Sequence, residues 1–192
     1  MKNLFFVVIL FAFFSCNKPA EFSDATVSGL ADLPESATKV PFEENPDLVR
    51  VSFTNDESQT ETGDYLNGKR SGSWTVLDPN GLVRSMTGYI DGQKQGTFIE
   101  IDDRGQLQTY GYYHNDKLHG EWVTYNRARV KEERHYVDGK LEGLVSIYYD
   151  TGKIMEEGNY KNGVRHGINK WYDQEGNVSI EYEYDNGELI KK

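Results

Sequence analysis

Cysteine is nearly absent from this chain: Cys16 is the only one in 192 residues. That excludes an internal disulfide framework and any cysteine-based zinc site. Basic side chains are in deficit, with 21 Lys and Arg against 31 Asp and Glu and a formal net charge of −10. Residues 1–15 hold Lys2 and no acid, so the remainder carries 20 cationic against 31 acidic side chains, a net −11. Nucleic acid and anionic membrane surfaces are gripped by basic patches, so both are poor partners for such a chain. No long apolar run occurs. The run Leu4–Phe14 is eleven residues, about 16 Å as a helix and roughly half the hydrocarbon thickness of a bilayer. Apolar residues make up only 37% of the sequence, too few for a large globular core.

What is present divides the chain into three zones. Residues 1–15 begin with a lysine, continue as a short apolar stretch and end at a small residue, the pattern of a secretory signal. Phe13-Phe14-Ser15-Cys16 resembles the lipobox of bacterial lipoproteins, departing from it at Phe13, where that family usually has Leu. The resemblance implies lipidation of Cys16. It also implies a lipid-anchored protein of the bacterial cell envelope, facing the periplasm or the cell surface. Residues 16–46 contain four of the five prolines and no Tyr or Trp, and they keep no period of 2 or 3.6. This composition predicts a flexible tether.

Residues 47–192 form a repeat array. Tyr65, Tyr89, Tyr113, Tyr136, Tyr160 and Tyr184 are spaced by 24, 24, 23, 24 and 24 residues. Each is followed by a turn pair, typified by Asn67-Gly68, Asp91-Gly92, Asp138-Gly139 and Asn162-Gly163. A second glycine recurs four residues later, at Gly72, Gly96, Gly120, Gly143 and Gly167. Asn-Gly and Asp-Gly pairs mark two-residue hairpins because both positions need positive φ. At the other end of the strands, Asp78-Pro79-Asn80-Gly81, Asp102-Asp103-Arg104-Gly105 and Asp173-Gln174-Glu175-Gly176 fit a type I turn closed by a left-handed glycine. The third repeat has Asn126-Arg127-Ala128-Arg129 there and is one residue short.

The predicted fold is all-β: an elongated single-layer antiparallel meander of about five 24-residue hairpin repeats. Residues 48–64 read as a degenerate first repeat, for about twelve strands in all. Placing Leu77 opposite Val83 predicts Trp74 opposite Met86. It also predicts a face carrying Trp74, Phe98 and Trp122 beside Met86 and Tyr110, with the period-24 tyrosines on the other face. Those five residues are the candidate binding face, because contiguous exposed aromatics mark contacts. The competing expectation is that the rings form a thin core.

Tyr-x-Asx-Gly-Lys-x-x-Gly-x-Trp followed by an aromatic, a turn and Gly resembles the MORN repeat in its bacterial variant. The closest stretches are Tyr65–Trp74, Tyr113–Tyr125, Tyr136–Tyr148 and Tyr160–Tyr172, and the resemblance covers about residues 48–192. It implies a scaffold that binds protein or associates with membrane. An antitoxin-like partner-binding role or a glycan-binding surface module stands as the alternative.

Chemistry is sparse. His119 and His166 occupy the same repeat position two repeats apart, too far to share a metal, and the slot otherwise holds Ser71, Gln95 or Glu142. Adjacent carboxylates such as Glu132-Glu133 point to opposite faces of a strand. Glu133, Glu157 and Glu181 share a face at about 9.5 Å intervals, near an inverting-glycosidase spacing but without a cleft. No catalytic residue, metal site or cofactor is expected. The expected partner is a protein, with membrane contact only through the lipid.

Overall fold

A computed structural model describes Leu30 and residues 33–191. Cys16 and the signal-type segment lie outside the described residues. The strands are β1 Thr38–Phe42, β2 Asn45–Thr54, β3 Thr60–Leu66, β4 Lys69–Leu77, β5 Val83–Ile90, β6 Gln93–Ile101, β7 Leu107–His114 and β8 Lys117–Asn126. They continue as β9 Arg129–Val137, β10 Lys140–Leu141, β11 Gly143–Tyr148, β12 Ile154–Lys161, β13 Val164–Tyr172, β14 Val178–Asp185 and β15 Glu188–Lys191. All join one antiparallel sheet in sequence order, with the two-residue β10 paired to β9 beside the main path. This is the single-layer meander that the repeats predict. At ~4.8 Å per strand it is about 60 Å long.

The two turn types explain the regularity. Asn67 and Gly68 have φ of 50° and 74°, and the pairs at 91–92, 115–116, 138–139, 162–163 and 186–187 repeat that geometry. Two consecutive left-handed residues make a type I′ turn, whose twist matches the flanking strands. Each turn also bonds to the repeat before it: Gly92 N donates to Arg70 O at 2.9 Å, Gly139 N to Leu118 O at 2.8 Å and Gly187 N to Arg165 O at 2.8 Å. At the opposite edge Asp78 Oδ1 accepts from Asn80 N and Leu82 N at 2.8 and 2.9 Å, and Asp102 does the same for Arg104 N and Gln106 N. Those backbone donors hold both carboxyls below their ordinary value.

The array starts before residue 47, which corrects the predicted boundary. Residues 38–42 and 45–46, expected in the tether, lie in β1 and β2, with Val40 opposite Arg50 and Pro41 opposite Val49. Pro41 sits on an edge strand, where a missing N–H is tolerated. Leu30, only 6% exposed, packs with Val49, Val51, Tyr65 and Trp74, and Leu33 borders them. Composition hid this because two leucines are enough to cap one end of a sheet.

A second correction concerns which side chains share a face. Leu77 does pair with Val83, but Val76 pairs with Ser85, so Arg84 is an extra residue on β5. The same bulge recurs at Glu100/Ile101, Thr124/Tyr125, Ile147/Tyr148 and Trp171/Tyr172. A one-residue slip moves a whole strand's side chains to the other face. Trp74 therefore pairs with Thr87, and Met86 pairs with Thr75 and Ile99.

Candidate functional site

The bulges sort the array into two faces. The ring face carries Trp74, Phe98 and Trp122 together with the period-24 tyrosines. Tyr65 meets Trp74 edge-on at 5.5 Å, and Tyr89 meets it at 6.4 Å. Phe98 stacks on Trp122 at 5.4 Å with planes 5° apart, and Tyr113 stands edge-on to both. Arg70 lies over Trp74 at 4.1 Å and Lys94 over Tyr113 at 5.0 Å. Arg70 is also tied to Glu61 at 3.2 Å. Trp74 is buried at 4% exposure, while Phe98 and Trp122 are half-buried.

Room for the indoles comes from glycines two residues before the repeat tyrosine. A Cβ on Gly63 would lie 2.5 Å from Trp74, and one on Gly111 would lie 2.0 Å from Trp122. Sequence reading gave these glycines no role. Their signal is positional, a glycine at Tyr−2 across the ladder from a Trp. In the fourth and fifth repeats Val145 and Asn169 replace the large rings. Asn169 is fully buried against Gly158, with Nδ2 donating to Gly167 O at 3.1 Å and Oδ1 unpaired. There the aromatic packing moves to Trp171 and Tyr182, 5.6 Å apart, with Arg165 4.9 Å over Trp171 and ion-paired to Glu156.

The mixed face carries Met86 and Tyr110, so the five candidate contact residues do not form one surface. Its central row runs Thr62, Thr75, Met86, Ile99, Tyr110, Val123, Glu133, Ser146, Glu157, Lys170 and Glu181. The neighbouring row includes Tyr112, Glu121, Leu144, Ile168 and Glu183. Tyr112, Leu144 and Ile168 are large apolar groups left 41–49% exposed.

Three carboxylates of the central row have side-chain partners. Glu133 accepts from the Tyr148 hydroxyl at 2.8 Å and Glu157 from Tyr172 at 2.6 Å. Glu181 reaches Lys170 at 3.4 Å. Tyr172 is pushed up to about 12, chiefly by its hydrogen bond to Glu157. Tyr148 is also raised, by burial first and then by Glu133. These are phenol–carboxylate pairs locking neighbouring strands.

The polar slot before the second glycine has a structural use. Gln95 accepts from Asn115 N at 3.1 Å and Glu142 from Asn162 N at 2.8 Å. His119 and His166 accept from Asp138 N and Asn186 N at 3.5 and 3.4 Å. Each side chain thus serves the backbone of the next turn. No cluster of three or more His, Cys, Asp or Glu suited to a metal occurs among the described residues. A hollow of about 550 Å³ lies at the Asp-turn edge near Glu57, Arg84, Glu100 and Asp103. Arg84 spans it, bonded to Asp78 at 2.9 Å and Asp103 at 3.1 Å. No helix among the described residues is long and apolar enough to cross a membrane.

Two adjacent stretches, residues 141–162 and 165–186, match the MORN repeat variant. They cover the fourth and fifth full repeats almost entirely. MORN repeats are non-catalytic repeat modules generally associated with protein- or membrane-binding scaffolds. No curated protein matches the chain. Among solved structures, a mutant of S. aureus TarM, crystallised with fondaparinux, alpha-GlcNAc-glycerol and UDP, is similar at 15% identity over 50% of this chain. That match covers 19% of the TarM chain with a TM-score of 0.34, below what a shared fold requires.

Proposed function

We propose that the chain is a non-enzymatic scaffold of the bacterial cell envelope, anchored by lipid on Cys16, whose β-array binds a protein partner. The observation that carries this reading is the mixed face. A row bearing Tyr112, Leu144 and Ile168 at 41–49% exposure has no covering layer among the described residues. Exposed rows of large apolar groups favour contact with another macromolecule. Protein is favoured over glycan because the rings that would stack on sugars already pack on one another, Phe98 stacked on Trp122 and Tyr65 edge-on to Trp74.

Two measurements test the two parts. Fatty-acid labelling should mark the wild type and spare Cys16→Ser, and equal labelling of both would refute the anchor. A photo-crosslinking residue at Tyr112, Leu144 or Ile168 in cells should give discrete protein adducts. The same group at the exposed turn residue Glu175 should not. Adducts from Glu175 alone would overturn the assignment of the binding face.

A further inference from the structure

The mixed face contains two hollows of nearly equal size, about 280 Å³ and about 290 Å³. The first is lined by Ser73, Met86, Gly88, Thr97 and Ile99, the second by Leu144, Glu157, Asn159, Ile168 and Lys170. Each residue of the second lies 71 positions after its counterpart in the first, a shift of three repeats. The array therefore builds the same depression twice. Six strand spacings separate the copies, about 29 Å.

The two copies differ in chemistry along one continuous gradient. The first is floored by Met86 and Ile99, and the row continues apolar through Tyr110 and Val123. From Glu133 onward the same row and its neighbour turn acidic, through Glu157, Glu181 and Glu183. Among these carboxylates only Glu181 reaches a cation, Lys170, among the described residues. On the ring face, by contrast, Glu61, Glu132 and Glu156 are each neutralised by an arginine. The excess negative charge on the mixed face is thus uncompensated and concentrated from β8 onward, beginning with Glu121.

We infer that this face docks one polypeptide segment that is apolar at one end and rich in Lys or Arg at the other. The apolar end covers Met86, Ile99 and Tyr110, and the basic end covers Glu133, Glu157 and Glu181. Charge complementarity selects the basic end and sets the register, while the apolar hollow supplies burial. Nucleic acid and anionic lipid share the apolar or stacking chemistry but are repelled by the acidic half. This inference rests on the scaffold reading above and adds the partner's chemistry and direction.

The test uses the full chain and a labelled synthetic peptide of about 20 residues, about 30 Å as a helix, with Leu/Phe in one half and Lys in the other. Fluorescence anisotropy should show it binding at least tenfold tighter than a peptide of identical composition with the lysines interspersed. Glu133→Gln with Glu157→Gln keeps an acceptor for each tyrosine while removing charge. It should weaken binding at least fivefold and flatten the salt dependence. Glu175→Gln, which removes one charge at a turn away from this face, should change nothing. Ile99→Asp should weaken binding at least tenfold at an unchanged melting temperature. Equal binding of both peptides, or equal loss in the Glu175 variant, would overturn the inference. Failure here with crosslinks retained at Tyr112 leaves the scaffold reading standing. Peptide binding as expected without any cellular adduct would instead sink that reading.

Discussion

The first three repeats and the last two use one backbone frame to build different interiors. In the first part Trp74 and Trp122 lie against Gly63 and Gly111, Phe98 stacks on Trp122, and Leu30 closes the end. In the second part the same column holds Val145 and a fully buried Asn169, with Tyr182 opposite Asn169 and Trp171 one row away. The turns that follow the repeat tyrosines are alike across both parts, with positive φ at every Asx-Gly pair. The difference shows that turn chemistry sets the array's geometry, whereas side-chain burial is negotiated repeat by repeat. A repeat's stability then depends on its own column and its two neighbours.

The sharpest way to break this comparison is to replace one buried member of the column in each part. Trp74→Ala should cost about 3–5 kcal/mol, since it empties a site closed by Leu30, Tyr65 and Tyr89. For a chain of this size that is a fall in Tm of about 2–4 °C per kcal/mol. Asn169→Val should move the other way, by about 1 kcal/mol, because it removes the unpaired buried Oδ1. Thermal unfolding by circular dichroism checks both. Equal losses from the two variants would mean that the two interiors are energetically alike.

A smaller effect comes from filling the space beside the column. Gly111→Ala would push a methyl into the Trp122 indole, which has no short route away. Overpacking of this kind costs roughly 1–3 kcal/mol. Gly158→Ala clashes chiefly with the Asn169 amide oxygen, a terminal atom 2.4 Å away, with Asn169 Cγ and Tyr160 at 3.4 Å, and should cost less. Denaturant midpoints measured on the pair decide whether the glycine at Tyr−2 matters because of the ring opposite it.

Much of the fold could be read from residue spacing, because the signals were local. Asn67-Gly68 and its copies specify type I′ turns, and Asp78 with Gly81 specifies the other edge, so strand order follows directly. The faces were not legible. A bulge such as Val76/Leu77 depends on one extra residue, Arg84, looping out of the ladder, and no residue type marks it. That single slip sent Met86 and Tyr110 to the opposite face from Trp74 and Trp122, dividing the predicted contact surface. Leu30 was missed for a different reason: its burial comes from long-range packing on Val49 and Trp74, which no local pattern records. The mixed-face gradient was half visible, since Glu133, Glu157 and Glu181 were already in one column, but the apolar hollow that precedes it required the true register.

The third repeat offers a test at the junction of the two parts. Its Asp-turn is replaced by Arg127 and Ala128, with φ of 51° and 62°. Non-glycine residues in the left-handed region cost roughly 1–2 kcal/mol each, less for Asn. Arg127→Asn with Ala128→Gly should therefore stabilise the chain by about 1–2 kcal/mol without altering either face. A rise in Tm of several degrees is expected. An unchanged Tm would mean that the strain is relieved by contacts of Arg127, which lies beside Arg129 and Asp150 in a hollow of about 230 Å³.

The smallest effect separates the two parts by titration. In the fourth and fifth repeats Tyr148 and Tyr172 donate to Glu133 and Glu157, while the equivalent positions earlier are Leu77, Ile101 and Tyr125, facing Thr62, Met86 and Tyr110. The Glu157 bond favours the neutral phenol and pushes Tyr172 from 10.0 to about 12. A folded value above the unfolded one means that the bond's contribution is whole below pH 10 and fades as pH rises through about 12. Tyrosinate absorbance near 295 nm, compared between the wild type and Tyr172→Phe, isolates this group. Its midpoint should lie near pH 12 in the wild type and fall in Glu157→Gln, where the neighbouring charge is gone. Ionisation of Tyr172 near pH 10 would show that the pair does not form in solution. The acidic half of the mixed face would then carry Glu157 as a freely solvated charge.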